Sequence, residues 1–210
     1  MNHSKNSKAF CVVFCLFLIS SGAASAGAHP SRKQVIAEVA RLGGKIEFDE
    51  TKPGKPIFKI DLHGTQVTDT ELVFLKDLTE LRVLDLRLTQ VGDAGVANLK
   101  KLNNLLTLNL FRTRVGDSGL AHLRKLTRLE TLLIGGTKVT DGGLIQLRDL
   151  TKLKKLSLFQ TQVTDAGLVH LKVLVNLEML LIGGSKITDA GARQLQEVLP
   201  KLRFTESLTT

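Results

Sequence analysis

Leucines along this chain fall into one recurring pattern, L-x-x-L-x-L. It reads "LRVLDL" at 81–86, "LLTLNL" at 105–110, "LETLLI" at 129–134, "LKKLSL" at 153–158 and "LEMLLI" at 177–182, with "IFKIDL" at 57–62 ahead of them. Alternation over the last part of each stretch predicts a strand with one buried face. Identical strands one repeat apart pair in parallel, about 4.8 Å apart. A hydroxyl residue follows each strand: Thr65, Thr89, Thr113, Thr137, Thr161 and Ser185, each 24 residues from the next. Four residues later stands an aspartate: Asp69, Asp93, Asp117, Asp141, Asp165 and Asp189. The residue two after each hydroxyl, Val67 through Ile187, is predicted to point into the core. Leucines then recur three apart, as at Leu120, Leu123 and Leu126 or at Leu168, Leu171 and Leu174. They predict a short helix of two or three turns that is stable only when docked.

A fixed period of this length predicts a solenoid of stacked coils. Each aspartate is predicted to N-cap the helix that starts there. The hydroxyls are predicted to form a ladder that satisfies buried turn groups by bonding the adjacent coil. A solenoid also needs caps. In "SRKQVIAEVARLGG" (31–44), Ser31 predicts a helix start, Val35, Ile36, Val39 and Leu42 an apolar face, and Gly43-Gly44 a stop. "KIEFDE" (45–50) alternates like a strand, and "KPGKP" (52–56) reads as a turn into the strand at Ile57, which predicts an antiparallel hairpin over the first edge. A last shortened strand is predicted around Leu202–Phe204, with Pro200 and the polar tail preventing another coil.

The consensus L-x-x-L-x-L-x-x-T-x-[IV]-T-D-x-G-L resembles the leucine-rich repeat family over residues 57–207. It is most similar to the subclass related to the cysteine-containing repeats of F-box proteins, with Thr in place of Asn or Cys. The resemblance implies an α/β leucine-rich repeat solenoid, a right-handed horseshoe with a parallel concave sheet and short convex helices. No F-box-like helical module accompanies it. Thr/Asp-type arrays of this kind are found in short exported bacterial proteins.

The first residues stand apart from the array. Lys5 and Lys8 precede the continuously apolar Ala9–Ser20, and small residues at Ala24, Ala26 and Ala28 follow. That order predicts a secretory signal peptide, cleaved after Ala26 or alternatively after Ala28. The apolar run is shorter than the roughly 20 residues a membrane span needs. The predicted organisation is a signal peptide at 1–26, an N-terminal cap at 27–56, repeats at 57–199, and a C-terminal cap and tail at 200–210. The product is expected to be exported, periplasmic or secreted. Both cysteines, Cys11 and Cys15, lie in the apolar run. The processed chain therefore has no disulfide, thiol nucleophile or cysteine metal ligand. Cleavage removes two lysines and no acid, so the formal charge falls from +9 to +7. Such a charge suits anionic partners. Nucleic acid is not expected, because the processed chain lacks Trp and Tyr and lies in the wrong compartment.

Candidate chemistry is sparse. The aspartate row reads as helix caps rather than calcium ligands. His122 and His170 lie two coils apart, roughly 10 Å, too far to share a zinc ion. "IGGTK" (134–138) and "IGGSK" (182–186) lack the order of a phosphate loop. No Ser-His-Asp set can be assembled, so no catalytic residue, metal or cofactor is assigned and the chain is expected not to be an enzyme. The resemblance implies that non-leucine strand positions face outward on the concave sheet. A central apolar strip is then Phe111, Leu133, Phe159, Met179 and Leu181, with Asn109 beside it and Arg87, Arg112 and Lys155 flanking it. Phe111 and Phe159 each sit next to a coil with two glycines, so a ring can lie over that surface. An apolar strip with a charged rim predicts a site for another protein. The alternative is an anionic cell-envelope or extracellular polysaccharide, held by the positive charge.

Overall fold

The computed structural model describes residues 30–205. The predicted signal peptide at 1–26 and the tail at 206–210 lie outside the described residues. Eight strands form one sheet in chain order: β1 (Lys45–Phe48), β2 (Ile57–Asp61), β3 (Val83–Asp85), β4 (Thr107–Asn109), β5 (Thr131–Leu133), β6 (Lys155–Ser157), β7 (Met179–Leu181) and β8 (Arg203–Thr205). β1 pairs with β2 antiparallel, and every later pair is parallel with partners 24 residues apart, as in Leu84 with Leu108. One residue too many or too few in any coil would turn the leucine rows out of the core. The rows are sealed instead: Leu84, Leu108, Leu132, Leu156 and Leu180 are all buried.

Helix α1 (Arg32–Arg41) covers the first edge. Ser31 caps it in a capping box with Gln34, and Val35 and Val39 are buried beneath it. Ile36, predicted on the same face, is exposed. Gly43 ends the helix at φ +78°, a conformation glycine adopts without strain.

The convex side differs from the expected helices of two or three turns. It carries a 3₁₀ segment at Asp69–Asp77, single α turns at α2 (Asp93–Val96), α3 (Asp117–Ala121), α4 (Asp141–Leu144) and α5 (Asp165–Leu168), and 3₁₀ turns after α2, α4 and α5. Only the last coil has a full helix, α6 (Asp189–Val198). The leucine spacing accounts for this. Leu120, Leu123, Leu126 and Leu129 are three apart and all buried, a period that matches 3.0 residues per turn better than 3.6.

Two predicted roles in the repeated phrase are corrected. The hydroxyls do not bond the adjacent coil. Each one donates to a carbonyl three residues back in its own coil, at 2.6–2.7 Å, as Thr89 does to Leu86. The turn bends back on itself, so the nearest carbonyl is its own. The aspartates are not N-caps either. That place belongs to the preceding residue, Thr68, Gly92, Gly116, Thr140, Thr164 or Thr188.

The aspartates carry the inter-coil bonds instead. Oδ1 of Asp69 accepts from Gly92 N at 2.6 Å, and Asp93 from Gly116 N at 2.7 Å. Asp117, Asp141 and Asp165 each accept from both the amide and the hydroxyl of Thr140, Thr164 and Thr188, at 2.6–2.8 Å. The glycine of the phrase makes room for them. A methyl group on Gly95 or Gly119 would lie 2.5 Å from Oδ1 of Asp69 or Asp93 in the coil before. In the first coil, Glu71 stands where the later coils have glycine, and no aspartate precedes it. Its carboxylate takes over the missing bonds, accepting from Thr68 N at 2.8 Å and from the Thr68 hydroxyl at 3.0 Å.

Candidate concave-face site

The outer surface of the sheet is built at the strand ends. Asp61, Asp85, Asn109 and Ser157 occupy equivalent places, and each accepts through its side chain from the amide two residues on: His63, Arg87, Phe111 and Phe159. This local turn directs the following side chain out over the sheet. The next residue is left-handed in every coil: Gly64, Leu88 (φ +58°), Arg112 (φ +53°), Gly136, Gln160 (φ +52°) and Gly184. Coils with Leu133 or Leu181 at the strand end have no side-chain acceptor there, and they carry Gly-Gly next. The alternation of "LFxT" with "LIGG" is therefore two ways of making one turn, with a side-chain acceptor or with glycine.

That alternation places the aromatic rings. The centroids of Phe111 and Phe159 lie 6.2 Å apart with planes tilted by 39°, although 48 residues separate them in the chain. Gly135 lies between. A Cβ there would come within 2.9 Å of the Phe159 carbonyl and 3.1 Å of the Phe111 ring. The Arg112 guanidinium sits 5.2 Å from the Phe111 centroid, within cation–π range.

Of the residues predicted to contact a partner, Phe111, Leu133, Lys155, Phe159 and Met179 are half-buried on this face. Arg87 and Arg112 are exposed, and Arg87 pairs with Asp85 at 3.4 Å. Two residues are withdrawn. Leu181 is 1% exposed and belongs to the packed sheet. Asn109 is 8% exposed, and its amide is already committed to the Phe111 turn and to Asp85 at 3.3 Å. The apolar patch is therefore the Phe111–Phe159 pair with Leu133 and Met179.

The strand entries carry charge. Lys154 donates to Glu130 in the coil before at 2.8 Å. That bond holds the Glu130 carboxyl below its ordinary pKa and raises that of Lys154. One step on, Lys155, Met179 and Arg203 are register partners on β6, β7 and β8. With Lys201, Gln196 and Glu178 they line a cleft of about 810 Å³ at the end of the array. Lys201 and Arg203 are absent from the predicted site, because their segment reads as a cap. Their signal was the period: Arg203 stands 48 residues after Lys155. Among the described residues no cluster of His, Cys, Asp and Glu could hold a metal, and no helix is long and apolar enough to cross a membrane.

A family model described as a leucine-rich repeat matches residues 78–100, 101–123 and 149–172. The crystal structure of an internalin from Listeria monocytogenes is similar at a TM-score of 0.55 and 18% identity, over 83% of this chain and 55% of that one. A structure described as a TDR receptor is similar at a TM-score of 0.49 and 17% identity, over 63% of this chain and 23% of that one. This chain thus spans about half the length of the internalin. No curated protein matches it.

Proposed function

Because the chain belongs to the leucine-rich repeat family, we propose that it is an exported, non-catalytic scaffold that binds another protein on its concave sheet. The Phe111–Phe159 pair carries this reading. Two large rings meet on an outward face, over a glycine that leaves them room, beside an arginine. Aromatic residues, phenylalanine included, and arginine are enriched at the cores of protein interfaces. The coil geometry needs only a turn at this position, and glycine supplies that in the neighbouring coils, so two phenylalanines are more than the fold demands. Export rests on the charge, apolar run and small-residue order of residues 1–26, and it implies a periplasmic or secreted location.

The test is affinity capture from the native envelope fraction at low and high salt, with wild type and the Phe111→Ser/Phe159→Ser double variant. Expected is a protein retained by wild type at high salt and lost by the variant. Unchanged capture by the variant removes the aromatic pair from the site. Capture of anionic polysaccharide alone, lost at high salt, supports the alternative reading instead, because exposed charges are screened as ionic strength rises.

A further inference from the structure

The cleft at the end of the array has a floor and a rim of opposite character. Met179 lies in the middle of the row Lys155–Met179–Arg203, so the two cations stand two strand spacings apart, roughly 10 Å, on either side of an apolar side chain. Lys201 adds a third cation at the same cleft. No side-chain hydrogen bond or ion pair within 4.0 Å engages Lys155, Lys201 or Arg203 among the described residues. Lys52, Lys59 and Lys154, by contrast, each hold a carboxylate at 2.8 Å. One acid, Glu178, also lines the cleft, so the cations outnumber it there. Three uncommitted cations therefore converge around an apolar floor, in a cavity of ligand-binding size.

We propose that this cleft takes an acidic peptide segment of the concave-face partner, with its carboxylates between Lys155, Lys201 and Arg203 and its aliphatic carbons on Met179. The inference rests on the reading that the concave sheet binds protein, and it names the chemistry of that protein. Continuity supports it: Lys155 begins β6 and Phe159 stands two residues past its end at Ser157, so one partner lying along the coil reaches both. The apolar floor favours amino-acid side chains over the hydroxyl-rich surface of a polysaccharide. Two guanidinium or ammonium groups about 10 Å apart suit acidic residues in alternation along an extended chain, where same-side residues are about 7 Å apart and long side chains close the rest.

The experiment is fluorescence anisotropy of the protein with a labelled hexapeptide of alternating leucine and glutamate. Its glutamine counterpart and an oligogalacturonate competitor form the other arms. Expected is binding of the glutamate peptide, at least tenfold weaker binding of the glutamine peptide, and at least tenfold loss in Lys155→Glu/Arg203→Glu. Lys155→Gln/Arg203→Gln should lose affinity in the same direction with no new charge introduced, and circular dichroism confirms that both variants fold. Equal binding of the two peptides, or no loss in the charge variants, overturns the assignment. So does oligogalacturonate binding the cleft more tightly than the peptide. If these fail while the aromatic variant still loses the native partner, the concave-face reading stands and only the acidic chemistry falls.

Discussion

The first and last coils of this array share one phrase and end it differently. At the first coil the inter-coil bonds are closed from within. Glu71 reaches the Thr68 amide that an earlier aspartate would have served, and α1 and β1 cover the sheet edge. At the last coil Asp189 is exposed with no hydrogen bond to it among the described residues, and β8 is the outermost strand. The interior coils show why both ends are exceptional. There each aspartate reaches forward to the next coil and each glycine makes room for the aspartate behind. The Asp–Gly pair is one device split across two coils, so the first coil dispenses with the glycine and the last leaves its aspartate unused.

The sharpest way to break that contrast is to exchange the residues. Gly119→Glu places the first coil's solution inside the array. Even a methyl there would lie 2.5 Å from the Asp93 carboxylate, and a second carboxylate adds repulsion to the overlap. Destabilisation of about 4 kcal/mol or more, or failure to fold, is expected. Urea denaturation followed by circular dichroism measures it, and a cost below about 1 kcal/mol would mean that the glycine makes no room that the aspartate needs.

Next in size is the comparison of two aspartates. Asp141→Ala removes two acceptors and strands the Thr164 amide and hydroxyl. A loss of about 2–3 kcal/mol is expected. Asp189→Ala removes no hydrogen bond and only the favourable placement of an acid at a helix start, worth about 0.5 kcal/mol. Equal effects of the two on the denaturation midpoint would mean that aspartate acts only as a helix-start charge in every coil and that the inter-coil bonds add nothing.

That difference also marks how far the sequence could be read. The 24-residue period predicts the strands, their parallel order and the leucine rows, because a face buried in every coil leaves a one-dimensional signature. It does not say which coil a polar side chain bonds. Asp and Thr are good caps in isolation, so local preference pointed to capping, while stacking brought the next coil's amide closer. The clue was present: glycine follows every aspartate by two residues except in the first coil, where Glu71 stands. At the concave site, the glycine platform beneath Phe111 and Phe159 was legible, because glycine's lack of a side chain is a local fact. The burial of Leu181 and Asn109 was not, because it depends on neighbouring coils. The cations Lys201 and Arg203 escaped because a shortened strand hides its register.

Acid sharpens the contrast at the first coil. The amide of Thr68 holds the Glu71 carboxyl below its ordinary pKa, with Arg41 adding a smaller effect. A folded-state pKa below the unfolded one gives stability that is present at neutral pH and lost as pH falls through the folded value. Glu71→Gln should cost about 1 kcal/mol at neutral pH and little in acid, so the two melting curves converge as pH falls below the ordinary carboxylate range. Asp49 and Glu80, lowered chiefly by Thr51 and Lys52, lie at the same end and keep part of the acid sensitivity in the variant. Parallel curves at all pH values would mean that Glu71 works without its charge.

The smallest expected effect is a gain. Gln160 holds a left-handed backbone at φ +52°, where the equivalent residues of the flanking coils are Gly136 and Gly184. A side chain in this region costs about 1 kcal/mol or slightly more, whereas glycine's greater freedom in the unfolded chain returns part of any gain from removing it. Gln160 also lies over Gly184, where a methyl would meet its Cγ at 2.9 Å, so some contact is lost with the side chain. Gln160→Gly should therefore stabilise by about 0.5 kcal/mol, while Gly136→Gln, whose Cβ would meet Arg112 Cγ at 2.7 Å, should destabilise by more than that. The opposite signs at one turn position, read as shifts of the urea midpoint, separate backbone strain from side-chain packing. No gain in Gln160→Gly would show that the contact of Gln160 with Gly184 in the next coil outweighs the backbone strain.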